Sequence, residues 1–170
     1  MNYVAVINGT YGIGKTSVAN IIAQNDTNNF VMMDPDEYYN QLAKKGATFF
    51  IGWPMQNSKI YLMYFRCKVE KALEGSNVII PITISTDVCK KELYDYFESI
   101  TDIVHIVLHA DEDVVIKRIE NDVGRSKEFS KEKLEGNMVF IKKHFSDANW
   151  IDTTTKSIEE VVNHIIPLLR

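Results

Sequence analysis

The stretch Ile7-Asn8-Gly9-Thr10-Tyr11-Gly12-Ile13-Gly14-Lys15-Thr16-Ser17 limits what this chain can fold into more than any other segment. Gly9, Gly14, Lys15 and Thr16 satisfy the spacing G-x-x-x-x-G-K-[ST], in which a glycine-rich turn follows a strand and opens a helix. Upstream, Val4, Val6 and Ile7 surround Ala5 in a β-branched run that reads as a buried strand. Downstream, Val18, Ala19, Ile21, Ile22 and Ala23 give an apolar helical face. Glycine lets the backbone turn so tightly that successive N–H groups converge on one anion, and the helix adds its positive dipole end. Residues Gly9, Thr10, Tyr11, Gly12, Ile13, Gly14 and Ser17 are therefore expected to frame phosphates. Lys15 is expected to reach the β- and γ-phosphates, and the Thr16 hydroxyl to coordinate Mg²⁺. A glycine turn without a ligand is the plainer alternative, and the strand before and helix after it argue against that. A dinucleotide fingerprint fits poorly, because Gly12-Ile13-Gly14 needs a small residue at Ser17 and has no place for Lys15. The expected ligand is a nucleoside triphosphate, ATP.

The 170 residues are most simply one domain spanning 1–170, and 45% hydrophobic residues suffice for a real core. A net charge of −4 without a basic run gives no reason to expect a nucleic-acid partner. Lys142-Lys143 reads as a solvated helix face. Cys67 and Cys89 have no metal spacing and are expected as buried small hydrophobes. No apolar run approaches the ~18 residues of a membrane helix, and the N-terminal segment reads as a strand, so a cytoplasmic protein is expected. Composition leaves monomer and homodimer open.

A second apolar run, Phe30 to Met33, leads into Asp34-Pro35-Asp36-Glu37. Asp34 suits a helix N-cap, Pro35 the first helical position and Glu37 a capping box. Carboxylates at the carboxyl end of a strand also face the ligand crevice of an open α/β sheet. Asp36 is the candidate to accept the proton of an attacking hydroxyl, with Asp34 beside it in the acceptor site. Phe49 and Trp53, in the irregular stretch Gly46 to Met55, read as loop packing or as an apolar wall for an acceptor. Gln56 to Leu73 shows a helical pattern, with Leu62, Phe65, Val69 and Leu73 at its centre and Ile60, Met63, Tyr64 and Cys67 widening it. Arg66 on this helix needs a partner. A structural carboxylate is the favoured one, and an acceptor oxygen the alternative that makes Arg66 a substrate-binding candidate.

Asn77 to Ile84 is a continuous apolar strand in which Pro81 predicts a bulge or an early end. No acid closes it to support Mg²⁺, and Asp87 reads as part of the next helix, capped by Ser85 or Thr86. Asp102 to Leu108 is the fourth strand, where His105 and His109 share a face and read as interior histidines rather than metal ligands. A helix from Glu112 to Asp122 carries Arg118 and runs into a polar loop with Arg125. Both arginines are candidates to neutralise charge on a transferring phosphoryl group, against the alternative of Arg118 paired with Asp122. An amphipathic helix over Lys131 to Phe145, a short strand Asn149 to Asp152 and a final helix opened by the Ser157/Glu160 capping box complete the chain. Five alternations of strand and helix predict an α/β fold: a five-stranded parallel sheet between two helical layers.

Taken in order, INGTYGIGKT, DPD, the aromatic loop ending in Trp53-Pro54, IIPITIS, HIVLHAD with Arg118, and WIDTT resemble the ATP-binding tunicamycin resistance protein family over nearly the whole chain. That family is similar in plan to small-molecule kinases such as chloramphenicol phosphotransferase, shikimate kinase and gluconate kinase. The resemblance implies a phosphate-loop three-layer sandwich with strand order 2-3-1-4-5 and a lid near 122–132. It makes Arg118 and Arg125 lid arginines, sets Asp152 and Thr153 at the loop that packs against adenine, and puts the acid of the DPD near the acceptor hydroxyl. The expected activity is phosphoryl transfer from ATP, with Mg²⁺, to a hydroxyl of a small molecule, a nucleoside antibiotic such as tunicamycin among them. ATP-dependent binding of an apolar molecule without chemistry is the other class.

Overall fold

Burial alternates in its destination along the first strand, and that decides the layering. In the computed structural model, which describes residues 2–25, 29–46, 54–122 and 127–169, β1 spans Val4–Asn8 and is buried throughout. Tyr3, Ala5 and Ile7 enter one apolar cluster, while Val4 and Val6 enter the other. This is the two-residue period of a strand covered on both faces.

Helix α1 (Lys15–Gln24) follows the glycine loop, β2 is Phe30–Met32, and α2 is Pro35–Lys44. A 3₁₀ turn at Met55–Asn57 precedes α3 (Lys59–Leu73) and β3 (Asn77–Ile82). Helical pieces Asp87–Cys89, the π-helical Lys90–Asp95 and Tyr96–Ile100 are numbered together as α4. Then come β4 (Ile103–His109), α5 (Glu112–Asn121), α6 (Lys127–His144), β5 (Asn149–Asp152) and α7 (Ile158–Ile165).

The five strands form one sheet in the order β2-β3-β1-β4-β5, every pair parallel. One face is covered by Val18 and Ile22 of α1, Val115 and Ile119 of α5, and Val161 and Ile165 of α7. The other is covered by Tyr39 of α2, Phe65 and Val69 of α3, Leu93 and Phe97 of α4, and Phe145 beyond α6. Helix α6 serves both, with Leu134 in the first cluster and Ile141 in the second. The expected α/β/α sandwich is the fold observed.

Several local expectations need correcting. Pro81 lies inside β3, paired in register with Ile7. Met33 N–H donates to the Ile79 carbonyl at 2.9 Å, so Ile79 turns its polar groups toward β2, and Pro81 two residues on points the same way. There β2 has ended, and the missing N–H costs no bond to β1. Cys67 is exposed, unlike Cys89. Helix α3 turns Tyr61, Leu62, Phe65 and Val69 inward. Ile60 and Met63, both more than half exposed, lie with Cys67 on the opposite stripe. Helix α6 starts four residues earlier than periodicity predicts, so its first turn occupies part of the expected lid segment.

His105 sits in the core against Phe145 and Tyr94, with ring centroids 4.6 and 4.8 Å away. Asn8 Nδ2 donates to its Nε2 at 3.3 Å, which assigns the proton of the neutral ring to Nδ1. Burial lowers its pKa to about 4, outweighing the nearby Asp147 carboxylate. An unfolded chain, with a histidine pKa of about 6.5, takes up the proton first as pH falls. Stability is therefore complete above about pH 6.5 and is lost as pH drops toward 4, by roughly 3 kcal/mol. Thermal unfolding across that window should show the decline, and His105→Phe should flatten it; an equal slope in the variant would contradict this assignment.

Candidate functional site

The phosphate loop is held from beneath by the ends of β1 and β3. Asn8 is fully buried, and its Oδ1 accepts from the N–H groups of Gly9 at 2.8 Å and Ile84 at 3.1 Å. The Thr83 hydroxyl donates to the Gly9 carbonyl at 2.9 Å. A Cβ on Gly9 would lie 2.6 Å from the Leu108 carbonyl oxygen, so the loop enters where only glycine fits. Gly12 has φ +72°, and a Cβ there would meet Ile119 Cγ1 at 2.7 Å. Gly14 is the left-handed N-cap of α1, leaving the first N–H groups of the helix to an anion. Lys15 Nζ donates to the Thr10 carbonyl at 2.8 Å, which keeps the ammonium folded over the loop.

Two adjoining cavities follow from this loop, sharing Gly12, Gly14 and Arg118. The polar one, about 210 Å³, is lined by Lys15, Thr16, Ser17 and Asp122 as well. The other, about 250 Å³, has Ile13, Val18, Ile158 and Val161 in its walls with Thr153 and Lys156. Together they form a trough with a phosphate-sized polar end and an apolar slot suited to a flat base. Arg118 is fixed between them. Its Nη1 donates to Thr153 Oγ1 at 3.0 Å and its Nη2 to the Thr153 carbonyl at 2.7 Å. Thr153 is in turn tied to the His109 carbonyl through its N–H at 2.8 Å and its hydroxyl at 3.1 Å. Arg118 thus stands on α5 and is braced by the loop after β5. Asp152 instead closes that loop: its Oδ1 accepts from Thr154 N–H and hydroxyl at 2.9 and 2.6 Å, and these bonds hold its pKa below the usual carboxylate value.

A narrow cleft of about 20 Å³ that shares Lys15 and Thr16 with the polar cavity is also lined by Tyr11, Asp36, Gln56 and Thr83. That holds one or two water-sized groups, such as a hydroxyl. Asp34 joins its two sides. Oδ1 accepts from the Asp36 N–H at 2.9 Å as the N-cap of α2, while Oδ2 accepts from the Thr16 hydroxyl at 3.3 Å. A hydroxyl and a carboxylate oxygen side by side are the hard donors that Mg²⁺ takes beside phosphate. Thr16 and Asp34 fit that ion. Asp34 reaches this corner from the end of β2 rather than from β3.

Tyr61, fully buried on α3, donates its hydroxyl to the Pro35 carbonyl and so fixes the start of α2. Burial first, then the Asp36 and Asp34 charges, push its pKa upward and keep it a donor. Gln56 Nε2 lies 3.4 Å from Tyr11 Oη and 3.3 Å from the Thr83 carbonyl, bridging the loop and the end of β3. The sequence gives no sign of either role. Arg66 is placed elsewhere: Nη1 is 3.3 Å from Glu92 Oε2, and the guanidinium lies 3.9 Å above the Tyr96 ring. Its partner is the structural carboxylate, so the substrate-binding alternative for Arg66 is dropped. Phe49, Trp53 and Arg125 lie outside the described residues.

With strand order, sheet and loop in place, the fold is that of phosphate-loop small-molecule kinases. The tunicamycin resistance protein of Deinococcus radiodurans superposes with a TM-score of 0.73 at 19% identity, covering 98% of this chain and 95% of that one. A gluconokinase from Sinorhizobium meliloti 1021 gives 0.66 at 17% identity, covering 98% and 91%. A shikimate kinase from Bacteroides thetaiotaomicron gives 0.63 at 16% identity, covering 98% of both. No protein-family model matches this chain, and neither does any curated protein sequence.

Gly12→Ala should separate the loop from the rest of the fold. Positive φ and the approach to Ile119 predict a loss of roughly 1–3 kcal/mol in denaturant unfolding. ATP binding, followed by calorimetry, should weaken by about tenfold or more. Wild-type affinity in this variant would mean that the loop geometry does not set nucleotide binding.

Proposed function

We propose that this protein transfers the γ-phosphoryl group of ATP to a hydroxyl of a small molecule. The observation that carries this reading is a nucleotide-sized trough and a small cleft that meet at Lys15 and Thr16, with Asp36 in the cleft. In that reading the loop amides and Lys15 hold the phosphates, and Arg118 lies along the nucleotide with Thr153 behind it. Mg²⁺ held by Thr16 and Asp34 would offset phosphate charge when bound.

Both oxygens of Asp34 are engaged, one in the α2 cap and one with Thr16. The acid assigned to the acceptor is Asp36, which lines the cleft. The acceptor oxygen attacks the γ-phosphorus, its O–P bond forms as the bond to the β–γ bridging oxygen breaks, and ADP leaves. The hydroxyl proton passes to the Asp36 carboxylate. Arg125 is assigned to the lid that screens this step from water, across 122–132. The likeness to a tunicamycin resistance protein supports a nucleoside antibiotic as the acceptor to try first. Phe49 and Trp53 are assigned to its apolar wall.

Mass spectrometry of reactions containing Mg·ATP and tunicamycin, uridine, chloramphenicol, gluconate or shikimate tests the reading. One acceptor should gain a phosphoryl group, and Lys15→Ala should abolish that product. Asp36→Asn should lower kcat by about 10²-fold or more, the usual worth of a general base, with little change in ATP binding. Full activity in Asp36→Asn sinks the base assignment. Tight binding of an acceptor together with ATP, and no phosphorylated product, would favour sequestration without chemistry.

A further inference from the structure

Arg66 is held away from the acceptor side, and this decides the charge of the cleft at Lys15. Its guanidinium lies 3.3 Å from Glu92 Oε2, 3.4 Å from the Glu92 carbonyl and 3.9 Å above the Tyr96 ring. Among the described residues, the cleft is walled by one carboxylate, Asp36, one ammonium, Lys15, and the neutral polar side chains of Tyr11, Thr16, Gln56 and Thr83. Lys15 is turned onto the phosphate loop by the Thr10 carbonyl at 2.8 Å. These walls therefore hold no cation assigned to an acceptor, while Asp36 repels an anionic one.

The neutral groups converge on Gln56. Its main chain is fixed: it lies in the 3₁₀ turn Met55–Asn57, and its carbonyl accepts from the Thr86 hydroxyl at 3.1 Å. Thr86 is itself the N-cap at the start of α4. The carboxamide is held more loosely. Nε2 lies 3.4 Å from Tyr11 Oη and 3.3 Å from the Thr83 carbonyl, and Oε1 accepts from the Ser85 hydroxyl at 3.5 Å. All three distances are at the long end for a hydrogen bond. A head group on a fixed stem, held by long contacts, exchanges them for a ligand at small cost. It presents donors and an acceptor side by side, with no net charge.

We propose that Gln56 is a specificity-determining residue of the acceptor site, and that it selects an acceptor that is uncharged beside its reacting hydroxyl: a vicinal diol, or an alcohol with an adjacent amide. This rests on reading the cleft as the acceptor side. Asp36 and Gln56 line the same cleft of about 20 Å³, which suits a hydroxyl and one small neighbouring group. The hydroxyl lies at Asp36, and its neutral neighbour exchanges hydrogen bonds with the Gln56 carboxamide. A carboxylate or phosphate in the neighbour's place meets the Asp36 charge and is left without a cation.

Matched pairs separate charge from shape: glucitol against gluconate, and methyl shikimate against shikimate. Each is titrated, beside uridine, into the full chain with Mg·ADP by calorimetry, and each is incubated with Mg·ATP for mass spectrometry. At least one neutral probe should bind, about tenfold or more tighter than either acid. Gln56→Leu, which offers neither donor nor acceptor, should weaken that probe by about tenfold or more without improving the acids. Gln56→Arg should move the preference toward the acids by about tenfold or more, a change in selectivity that loosening of the turn does not produce. If that variant fails to fold, Gln56→Lys takes its place. Tighter binding or phosphorylation of an acid overturns the neutral-acceptor assignment, and so does the absence of binding by every neutral probe. Unchanged selectivity in the Gln56 variants overturns the role of Gln56. A neutral probe that binds with the expected preference and gains no phosphoryl group supports this selectivity and removes the transfer reaction.

Discussion

The Asn8 carboxamide is the contact on which the candidate site depends. Its oxygen takes the first N–H of the phosphate loop and the N–H of Ile84 beyond β3, while its nitrogen reaches His105 on β4. One buried side chain therefore ties together the three central strands, β1 and β3 at their ends and β4 in its body. Phosphate binding requires several backbone N–H groups to keep their direction before the anion arrives. A loop free to flex would lose that preorganisation. The Thr83 hydroxyl on the Gly9 carbonyl completes the clamp. A buried amide costs free energy unless its hydrogen bonds are made, and here each is made to a group that positions the loop.

Elements whose information is local were legible in the sequence. The strand–glycine–helix unit, the Asp34–Pro35 cap and the Ser157/Glu160 box all lie within a few residues, and each appears where the side-chain chemistry requires. Contacts that join distant segments were not. Thr16 and Asp34 are separated by 18 residues, Arg118 and Thr153 by 35. No spacing rule reports such a pairing, because it is set by strand order. The end of β3 carries no acid, as expected, and the carboxylate that meets Thr16 comes from the end of the edge strand instead. Cys67 shows a related limit. Its neighbours are apolar on both sides of α3, and only the position of the inner stripe tells which of them face water.

Asp34 joins the start of α2 to the start of α1. As N-cap it satisfies an orphan amide at the start of α2; through Thr16 it reaches the nucleotide side. Tyr61 locks the same helix start from α3. The carboxylate of Asp36 therefore sits on a helix end fixed by two independent contacts, one to the nucleotide loop and one to the core. That rigidity matters where positioning supplies much of the rate. It also means that a substitution at Asp34 loosens the cap, the Thr16 contact and Asp36 at once, so its effect cannot be assigned to any one of them. Asp36 is not the N-cap, so a substitution there leaves the Asp34 cap and the Thr16 contact in place while it tests the proposed chemistry.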